Sequence, residues 1–329
     1  MALFVECEWA DVQGVPQDDG PAPLVSIAYT PEFRQLMDYF RAALVLEEYS
    51  GRTLRLTEAI LEHNAANYTV WQYRRDCLKA TGADLRVELA FVDTFASDNP
   101  KNYQIWNHRR VIVEELGDAS RELAFTQIVF LADAKNYHAW AHRQWALRSF
   151  GLDWAAELAY TEQLILTDVR NNSAWNQRWF VVHNRADAGA GTEAGTVSQA
   201  TYDGEYDFVW SRMQQVRKNE SAWNYLRGLA AKCAALRPRA LEICEQVIAD
   251  ARGAPQSSPA DSQEVDTEGI NTNTFALALA ADLWEQMGAA GGDAQILQKA
   301  RAALQTLADT DRIRVKAWSS RLAALPNLA

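Results

Sequence analysis

The chain has 329 residues, of which 48 % are hydrophobic and 23 % are charged, so it can bury a large core and is not disordered by composition. Its 43 acidic and 32 basic side chains give a net charge of −11, which argues against a nucleic-acid-binding protein because phosphate contacts need a basic surface. No stretch approaches the roughly 18–20 apolar residues of a membrane span, and the acidic N-terminus is unlike a secretory signal.

The four cysteines, Cys7, Cys77, Cys233 and Cys244, show neither a CxxC pair nor a histidine at zinc-ligand spacing. We therefore expect free thiols in a reducing compartment, a cytoplasmic location and no metal site on this chain. With only 9 prolines and 16 glycines, the composition favours helix throughout.

In chain order, residues 1–25 are predicted to be irregular, and residues 26–329 are predicted to form a single helical-repeat domain. Thr30 followed by Pro31 is typical of a helix start, with a capping hydroxyl and then proline at the first helical position. This pattern predicts a helix from about Pro31 to Tyr49.

Five segments then repeat around a central tryptophan, and they account for part of the high count of twelve tryptophans. The central tryptophans lie 35, 34, 35 and 48 residues apart, at Trp71, Trp106, Trp140, Trp175 and Trp223. An asparagine lies four residues before each of them, and in the first four segments an arginine lies three residues after, at Arg74, Arg109, Arg143 and Arg178. The tryptophan excess therefore indicates a repeat architecture and not a sugar-binding site.

A glutamate lies 18 residues before four of these tryptophans, at Glu88, Glu122, Glu157 and Glu205. Four residues earlier still come candidate N-caps, Asp84, Asp118, Asp153 and Thr201. Such side chains accept hydrogen bonds from the free amides of a first helical turn, where the helix dipole also favours a glutamate. Each repeat should therefore open with a capped helix of about 14 residues.

A second helix is predicted to begin near each tryptophan. In the second repeat, Ile105, Ile112 and Leu116 fall on one helical face, and Gly117 follows as a stop signal. A helical hairpin of about 35 residues cannot bury its apolar faces alone and must stack on its neighbours. The predicted fold class is all-α, a right-handed α-α superhelix (solenoid) of about seven antiparallel helical hairpins forming a crescent.

The last two hairpins are predicted to be degenerate. Trp284 lacks the flanking asparagine and arginine, whereas Trp318 keeps Arg321 three residues later but has Arg314 in place of the asparagine. Two polar stretches, at about 185–204 and 250–270, are interpreted as inserted surface loops without a function of their own.

The repeated residues have a structural interpretation. The tryptophan would pack between successive hairpins, the asparagine amide would satisfy backbone groups at the interhelix turn, and the arginine would hold carbonyls or a glutamate of the adjacent repeat. The residue five before the tryptophan is basic in four repeats, at Lys101, Lys135, Arg170 and Lys218. Cations just before helix N-termini suit an acidic surface or a diphosphate. Alternatively, they pair with the first-helix glutamates.

The segments NYTVWQYRR, NYQIWNHRR, DAKNYHAWAHRQW and DVRNNSAWNQR resemble the repeats of the protein prenyltransferase alpha subunits. The resemblance is strong from about Tyr29 to Arg227 and weaker beyond. Within that family the motifs are most similar to the alpha subunit shared by protein farnesyltransferase and geranylgeranyltransferase type I. The alpha subunit of Rab geranylgeranyltransferase, whose repeats are generally less rich in tyrosine, ranks second.

The resemblance implies an obligate heterodimer in which this chain wraps around a beta subunit that carries the catalytic zinc and most of the isoprenoid pocket. The implied reaction transfers farnesyl or geranylgeranyl from its diphosphate to the cysteine thiol of a C-terminal CaaX motif, in substrates such as small GTPases. It also implies a magnesium requirement for the farnesyl reaction. The sequence is compatible with an active site carried mostly by the beta subunit, since this chain shows no DDxxD motif and no phosphate-binding glycine loop.

For individual residues, the resemblance implies that Lys135 stabilises the departing diphosphate, because a cation near a leaving group lowers the barrier. Tyr137 and His138 follow as substrate-binding residues. The family commonly has glutamine at the position of His138, where it binds the carboxylate of the CaaX peptide. Asn171 matches a family position linked to activity, and its alternative is a turn-satisfying amide. His138 and His142 as a metal pair lack a third ligand.

An alternative from another class is a non-catalytic α-solenoid that binds peptides, like tetratricopeptide proteins. The repeat length of 34–35 residues is compatible with it, but the glycine, alanine and proline pattern of that family is not in register here. The choice of isoprenoid would be set by the beta subunit and not by this chain.

Overall fold

A computed structural model describes residues 8–185, 197–253, 272–291 and 293–326, and within these ranges the secondary structure is helical with no strand. The all-α fold class is therefore confirmed. The chain divides into two compact units, Met1–Leu152 and Asp153–Ala329. The single domain over residues 26–329 stays a prediction.

The first unit contains a leading helix and three helical hairpins. The leading helix is α1 (Pro31–Leu46), and the hairpins are α2 (Gly51–His63) with α3 (Tyr68–Thr81), α4 (Leu85–Asp98) with α5 (Tyr103–Leu116), and α6 (Glu122–Ala132) with α7 (Tyr137–Phe150).

The second unit adds four hairpins. They are α8 (Trp154–Thr167) with α9 (Asn172–Asn184), α10 (Gln199–Met213) with α11 (Glu220–Lys232), α12 (Arg237–Gly253) with α13 (Thr274–Gly291), and α14 (Ala294–Thr310) with α15 (Val315–Ala324). In the described ranges the two units thus hold seven hairpins, as the repeat count predicts. None of the described helices is both long and apolar enough to cross a bilayer.

The helix starts follow the predicted capping residues with two exceptions. Asp84 and Asp153 accept amide hydrogen bonds at the starts of α4 and α8. Asp118 instead accepts from the Ser120 amide in a turn, and α6 begins four residues later without a side-chain cap. The predicted cap Thr201 is also wrong, because Ser198 caps α10 and residues 199–204 of the predicted loop are helical. Residues 186–196 and 254–271 of the two insertions lie outside the described residues.

Two features at the N-terminal end differ from the prediction. Helix α1 ends at Leu46 and not near Tyr49, because Glu47 adopts the left-handed conformation with φ of 50° and terminates the helix. The irregular N-terminal segment includes a buried anchor, since Trp9 is 1 % exposed and the guanidinium of Arg52 lies 4.4 Å from its ring centroid. This segment therefore packs on the first helices.

The sixth hairpin follows a different register from the one predicted around Trp284. The Asn273 carboxamide accepts from the Ala276 amide and donates to the Arg217 carbonyl at 2.8 Å, which are the two contacts of a repeat asparagine. Leu277, four residues after Asn273, therefore occupies the tryptophan position. Trp284 lies two helical turns further along α13, so the prediction that it is the central tryptophan of this repeat is wrong.

The tryptophans at the five repeat centres are buried, with exposures between 0 % and 7 %. Among the described cysteines, Cys77, Cys233 and Cys244 are free and buried, whereas Cys7 lies outside the described residues.

Candidate functional site

In both units, a turn before a second helix is held by one asparagine and one tryptophan. In the first unit, the Pro100 carbonyl accepts from Trp106 Nε1 at 2.9 Å and from Asn136 Nδ2 of the next repeat at 3.0 Å. In the second unit the Val169 carbonyl accepts from Trp175 Nε1 and Asn219 Nδ2 in the same way. Each such turn is therefore fixed both within its repeat and to the neighbouring one.

The Lys135 turn (residues 133–136) is held by three hydrogen bonds. The Asp133 carbonyl accepts from the Asn136 amide, and Asp133 Oδ1 accepts from the Lys135 amide, both at 3.0 Å. Trp140 Nε1 donates to the Ala134 carbonyl at 3.0 Å. Lys135 itself is exposed, and in the described part of the chain its ammonium forms no ion pair. Its charge is therefore available to a ligand.

Tyr137 and His138 continue from this turn into α7. Tyr137 is 70 % exposed, whereas His138 is partly covered by aromatic rings. The Tyr103 ring meets the His138 imidazole edge-on with 4.3 Å between centroids, and the Trp106 ring lies parallel at 6.4 Å. Partial burial lowers the pKa of His138 below 6.5, against a hydrogen bond to the Lys101 backbone that raises it. The structure thus brings Lys135, Tyr137 and His138 together at one turn.

Asn171 lies in the second unit. It is 2 % exposed, and its Oδ1 accepts from the Ser173 amide at 3.1 Å as the N-cap of α9. This is the contact that the alternative interpretation, a turn-satisfying amide, requires. The preceding Arg170 is positioned as Lys135 is, since its amide donates to Asp168 Oδ1 at 2.9 Å.

The basic residues before the second helices do not pair with the first-helix glutamates, so that alternative is wrong for Lys101. Lys101 Nζ lies 3.7 Å from Asp133 Oδ2. Glu88, which the alternative would assign to such a cation, accepts two hydrogen bonds from Arg74 at 2.7 Å.

A buried ion-pair ladder occupies the space between successive repeats. In the first unit Arg74 binds Glu88 and Arg109 binds Glu122, with both oxygens of each carboxylate engaged at 2.7–2.8 Å. Arg178 binds Glu205 likewise in the second unit. Arginine planes also lie over phenylalanine rings at 3.5–4.0 Å, in the pairs Arg74–Phe91, Arg109–Phe125 and Arg178–Phe208.

Sequence reasoning missed a third member of this ladder, the residue two positions after the tryptophan in the second to fifth repeats. His108 Nε2 lies 2.8 Å from Glu88, and His142 Nε2 lies 2.6 Å from Glu122. The corresponding residues of the second unit are Gln177, bound to Glu157, and Tyr225, bound to Glu205. A polar residue recurring beside the repeat arginine was the signal that could have revealed it.

Burial and hydrogen bonding fix the protonation of this ladder in the first unit. Burial opposes ionisation of Glu88 and Glu122, but hydrogen bonds from the histidine and the arginine outweigh it and lower the pKa of both carboxyl groups. Burial lowers the pKa of His108 and His142, and the glutamates only partly offset that. The glutamates are therefore ionised and the histidines neutral at pH 7.

Each unit has a cavity on its described surface. An open groove of about 580 Å³ in the first unit is lined by Ala66 and residues 99–104, including Lys101 and Tyr103. A second cavity of about 330 Å³ lies between α12, α13 and α14, with Trp284, Lys299 and Glu245 in its wall. The described residues contain no cluster of three or more His, Cys, Asp or Glu side chains able to hold a metal ion.

Comparison with known families agrees with the repeat boundaries. The family model "Protein prenyltransferase alpha subunit repeat" matches residues 51–81, 85–116, 119–150 and 154–185, which correspond to the first four hairpins.

Three curated relatives carry the name protein farnesyltransferase/geranylgeranyltransferase type-1 subunit alpha. The Solanum lycopersicum protein is 57 % identical over 94 residues, which are 29 % of this chain and 27 % of that protein. The Pisum sativum protein is 50 % identical over 119 residues, or 36 % of each chain. The Candida albicans protein is 32 % identical over 231 residues, 68 % of this chain and 73 % of that protein. The chain thus spans only about a quarter to a third of the two plant relatives.

Among solved structures, a chain of Candida albicans protein geranylgeranyltransferase-I complexed with GGPP superposes with a TM-score of 0.77. The sequences are 27 % identical, and the superposition covers 96 % of this chain and 98 % of that chain. The likeness therefore extends well beyond the repeats that the family model matches.

Proposed function

The chain belongs to the protein prenyltransferase alpha-subunit family, and from this premise we propose that it is the alpha subunit of a heterodimeric CaaX protein prenyltransferase. The three curated relatives carry the type-1 name, which favours this proposal over the Rab-type alternative. The cytoplasmic location indicated by the free thiols stays a prediction.

In the proposed reaction, the cysteine thiol of a CaaX peptide gives its proton to solvent, and the resulting thiolate sulfur bonds to C1 of an isoprenyl diphosphate while the C1–oxygen bond breaks and diphosphate leaves. The observation that carries the proposal is the Lys135 turn, which presents an exposed lysine without an ion-pair partner in the described residues. A fixed cation beside a leaving group that gains negative charge stabilises the transition state more than the ground state.

The neighbouring side chains suit peptide binding. Because one ring nitrogen of His138 bonds the Lys101 backbone, the protonated imidazole can donate its second N–H to a terminal carboxylate, and the exposed ring of Tyr137 offers a contact surface beside it. Asn171, in the second unit, is proposed as a substrate-binding residue by itself, and only through atoms not used in capping α9.

The described residues do not fit a zinc site, because no cluster of metal-ligating side chains occurs among them. We therefore expect zinc ligands to come from the beta subunit, and magnesium to act with the diphosphate.

Co-expression with candidate beta subunits tests the proposal. The chain purified alone should transfer no prenyl group, whereas the heterodimer should transfer farnesyl or geranylgeranyl to a CaaX peptide, the choice following the beta subunit. Activity of the lone chain would contradict the proposal, and so would a chain that binds no beta subunit.

The role of Lys135 is tested by Lys135→Ala in the heterodimer. Turnover should fall by about 10²–10³, the usual effect of removing one transition-state donor, while the subunits still co-purify. The matched variant Lys218→Ala changes the same repeat position in the second unit and should leave turnover within about two-fold. Equal turnover of the two variants would return Lys135 to a structural role.

A further inference from the structure

Asp133 contacts both Lys135 and Lys101, and each of its two carboxylate oxygens contacts a different one of them. Oδ1 accepts the backbone amide of Lys135 at 3.0 Å, whereas Oδ2 lies 3.7 Å from the ammonium of Lys101. The Asp133 side chain therefore holds the backbone at Lys135 and forms an ion pair with the ammonium of Lys101.

The backbone contact is the stronger of the two. The Lys101 side chain is 78 % exposed, and exposed ion pairs of this kind contribute about 0–1 kcal/mol. The hydrogen bond to the Lys135 amide closes a short ring that mimics a backbone turn, and it acts together with the bond from the Asn136 amide to the Asp133 carbonyl. These bonds fix the dihedral angles at Lys135 and hence the direction in which its side chain leaves the backbone.

The same turn occurs in the first repeat without a cation. Asn64 Oδ1 accepts from the Ala66 amide at 3.1 Å, and the Asn64 carbonyl accepts from the Asn67 amide at 3.2 Å. The fourth repeat has it too, since Asp168 Oδ1 accepts from the Arg170 amide at 2.9 Å. The turn is thus a structural feature of the repeats, and among the described residues only the third repeat combines it with a lysine that has no ion pair and a second lysine at the carboxylate. A substitution of Asn64 is therefore a control, because it removes the same turn at a position without a lysine and reports the effect on folding alone.

We propose that Asp133 is a positioning residue for Lys135, fixing through its Oδ1 the turn that presents the Lys135 ammonium to the departing diphosphate. The inference rests on the proposed function. Because rate depends on the placement of a catalytic group more steeply than affinity does, loss of the turn should lower kcat and leave the KM for isoprenyl diphosphate nearly unchanged.

Three variants of the heterodimer separate geometry from charge. Asp133→Asn keeps an oxygen at Oδ1 and loses the charge, Asp133→Glu keeps the charge but moves the oxygen, and Asp133→Ala loses both. We expect Asp133→Asn to retain kcat within about three-fold, and both Asp133→Glu and Asp133→Ala to lose about ten-fold to a hundred-fold. Steady-state prenylation of a CaaX peptide gives kcat and KM, and thermal unfolding of each complex reports folding.

The control Asn64→Ala removes the equivalent turn from the first repeat and should change thermal stability without lowering kcat. In the Lys135→Ala background, Asp133→Glu should cause no further loss, because a positioning residue has no effect without the group it positions.

The inference is overturned if Asp133→Glu and Asp133→Ala keep the kcat of Asn64→Ala, or if Asp133→Asn loses as much as they do. It is also overturned if the losses add to that of Lys135→Ala. A wild-type heterodimer without prenyl transfer would instead refute the proposed function itself, so the two failures are distinguishable.

Discussion

At the residue scale, the functions of the repeated side chains come from their pairing. Arg109 and Glu122 are 1 % and 0 % exposed; Arg109 donates hydrogen bonds to Glu122 and Asp93, and Glu122 is also bound by His142. A buried charge without its partner is costly, so these residues stabilise the stacking of repeats only as a complete set.

We expect Arg109→Leu to destabilise the chain by about 3–5 kcal/mol, because Glu122 would stay buried without its counter-charge. The adjacent Arg110→Leu removes an exposed arginine that pairs with Glu114, and should cost about 1 kcal/mol or less. Urea unfolding followed by circular dichroism measures both. Equal effects of the two substitutions would contradict the role of the buried pair.

We expect His138 to make peptide binding by the proposed heterodimer depend on pH. Partial burial lowers its pKa below 6.5, so the imidazole is neutral at pH 7 and gains a proton only at lower pH. A protonated imidazole donates a stronger hydrogen bond to a carboxylate. The KM for a CaaX peptide should therefore decrease as pH falls from 7.5 to 5.5, relative to His138→Gln. Parallel pH profiles of the two proteins would disprove carboxylate binding by His138.

At the element scale, helix boundaries were predictable where a single capping residue decides them. Asp84 and Asp153 mark helix starts because their carboxylates accept first-turn amides. Asp118 accepts an amide too, but α6 begins only at Glu122, and the side chain of Ala119 is buried in the intervening turn. Packing of that turn, which local sequence does not encode, shifts the start of the helix.

Gly117 ends α5 with φ of 64°, and a Cβ built there meets no atom within 4 Å. Gly117→Ala should therefore cost about 1–2 kcal/mol, through backbone strain alone. Gly204 lies inside α10 with equally open surroundings, so Gly204→Ala should stabilise by about 0.5–1 kcal/mol. Opposite shifts of the urea midpoint are expected, and a loss of stability in both variants would contradict this explanation.

At the scale of the whole molecule, the repeats are joined by polar contacts whose partners lie far apart in sequence. The Asn136 amide reaches the carbonyl of Pro100, and Asn273 reaches that of Arg217. A sequence pattern shows that asparagine recurs but not which carbonyl it binds. The sixth repeat illustrates this, since Asn273 was hidden by the loss of its tryptophan and only its contacts identify it.

The buried histidines make the stability of the chain dependent on pH. His108 and His142 have pKa values lowered below 6.5, so between that pH and their native values the unfolded chain binds more protons than the native one. Their contribution to stability is therefore fully present above pH 6.5 and is lost as pH falls below 6.5 through the lowered native pKa values. The double variant His108→Gln/His142→Gln should show a smaller loss over this range, because glutamine does not titrate and Gln177 fills the same role in the fourth repeat.

Urea unfolding of the full chain at pH 7.5, 6.5, 5.5 and 5.0 measures this difference. The remaining histidines are common to both proteins and cancel in the comparison. An identical pH dependence of the free energy of unfolding would show that the two buried histidines do not titrate as described.

The sequence by itself determined the helical repeat, its period, and the asparagine, tryptophan and arginine that recur in it, because these patterns report local hydrogen bonding and one buried face per helix. It also singled out Lys135. Only the tertiary structure decided that Glu88, Glu122 and Glu205 are each shared by an arginine and the residue two after a tryptophan, as Glu88 is by Arg74 and His108. It also showed that Asp133 holds the turn of Lys135 while pairing with Lys101. Such contacts join neighbouring repeats, and their partners are chosen by packing in three dimensions and not by spacing along the chain.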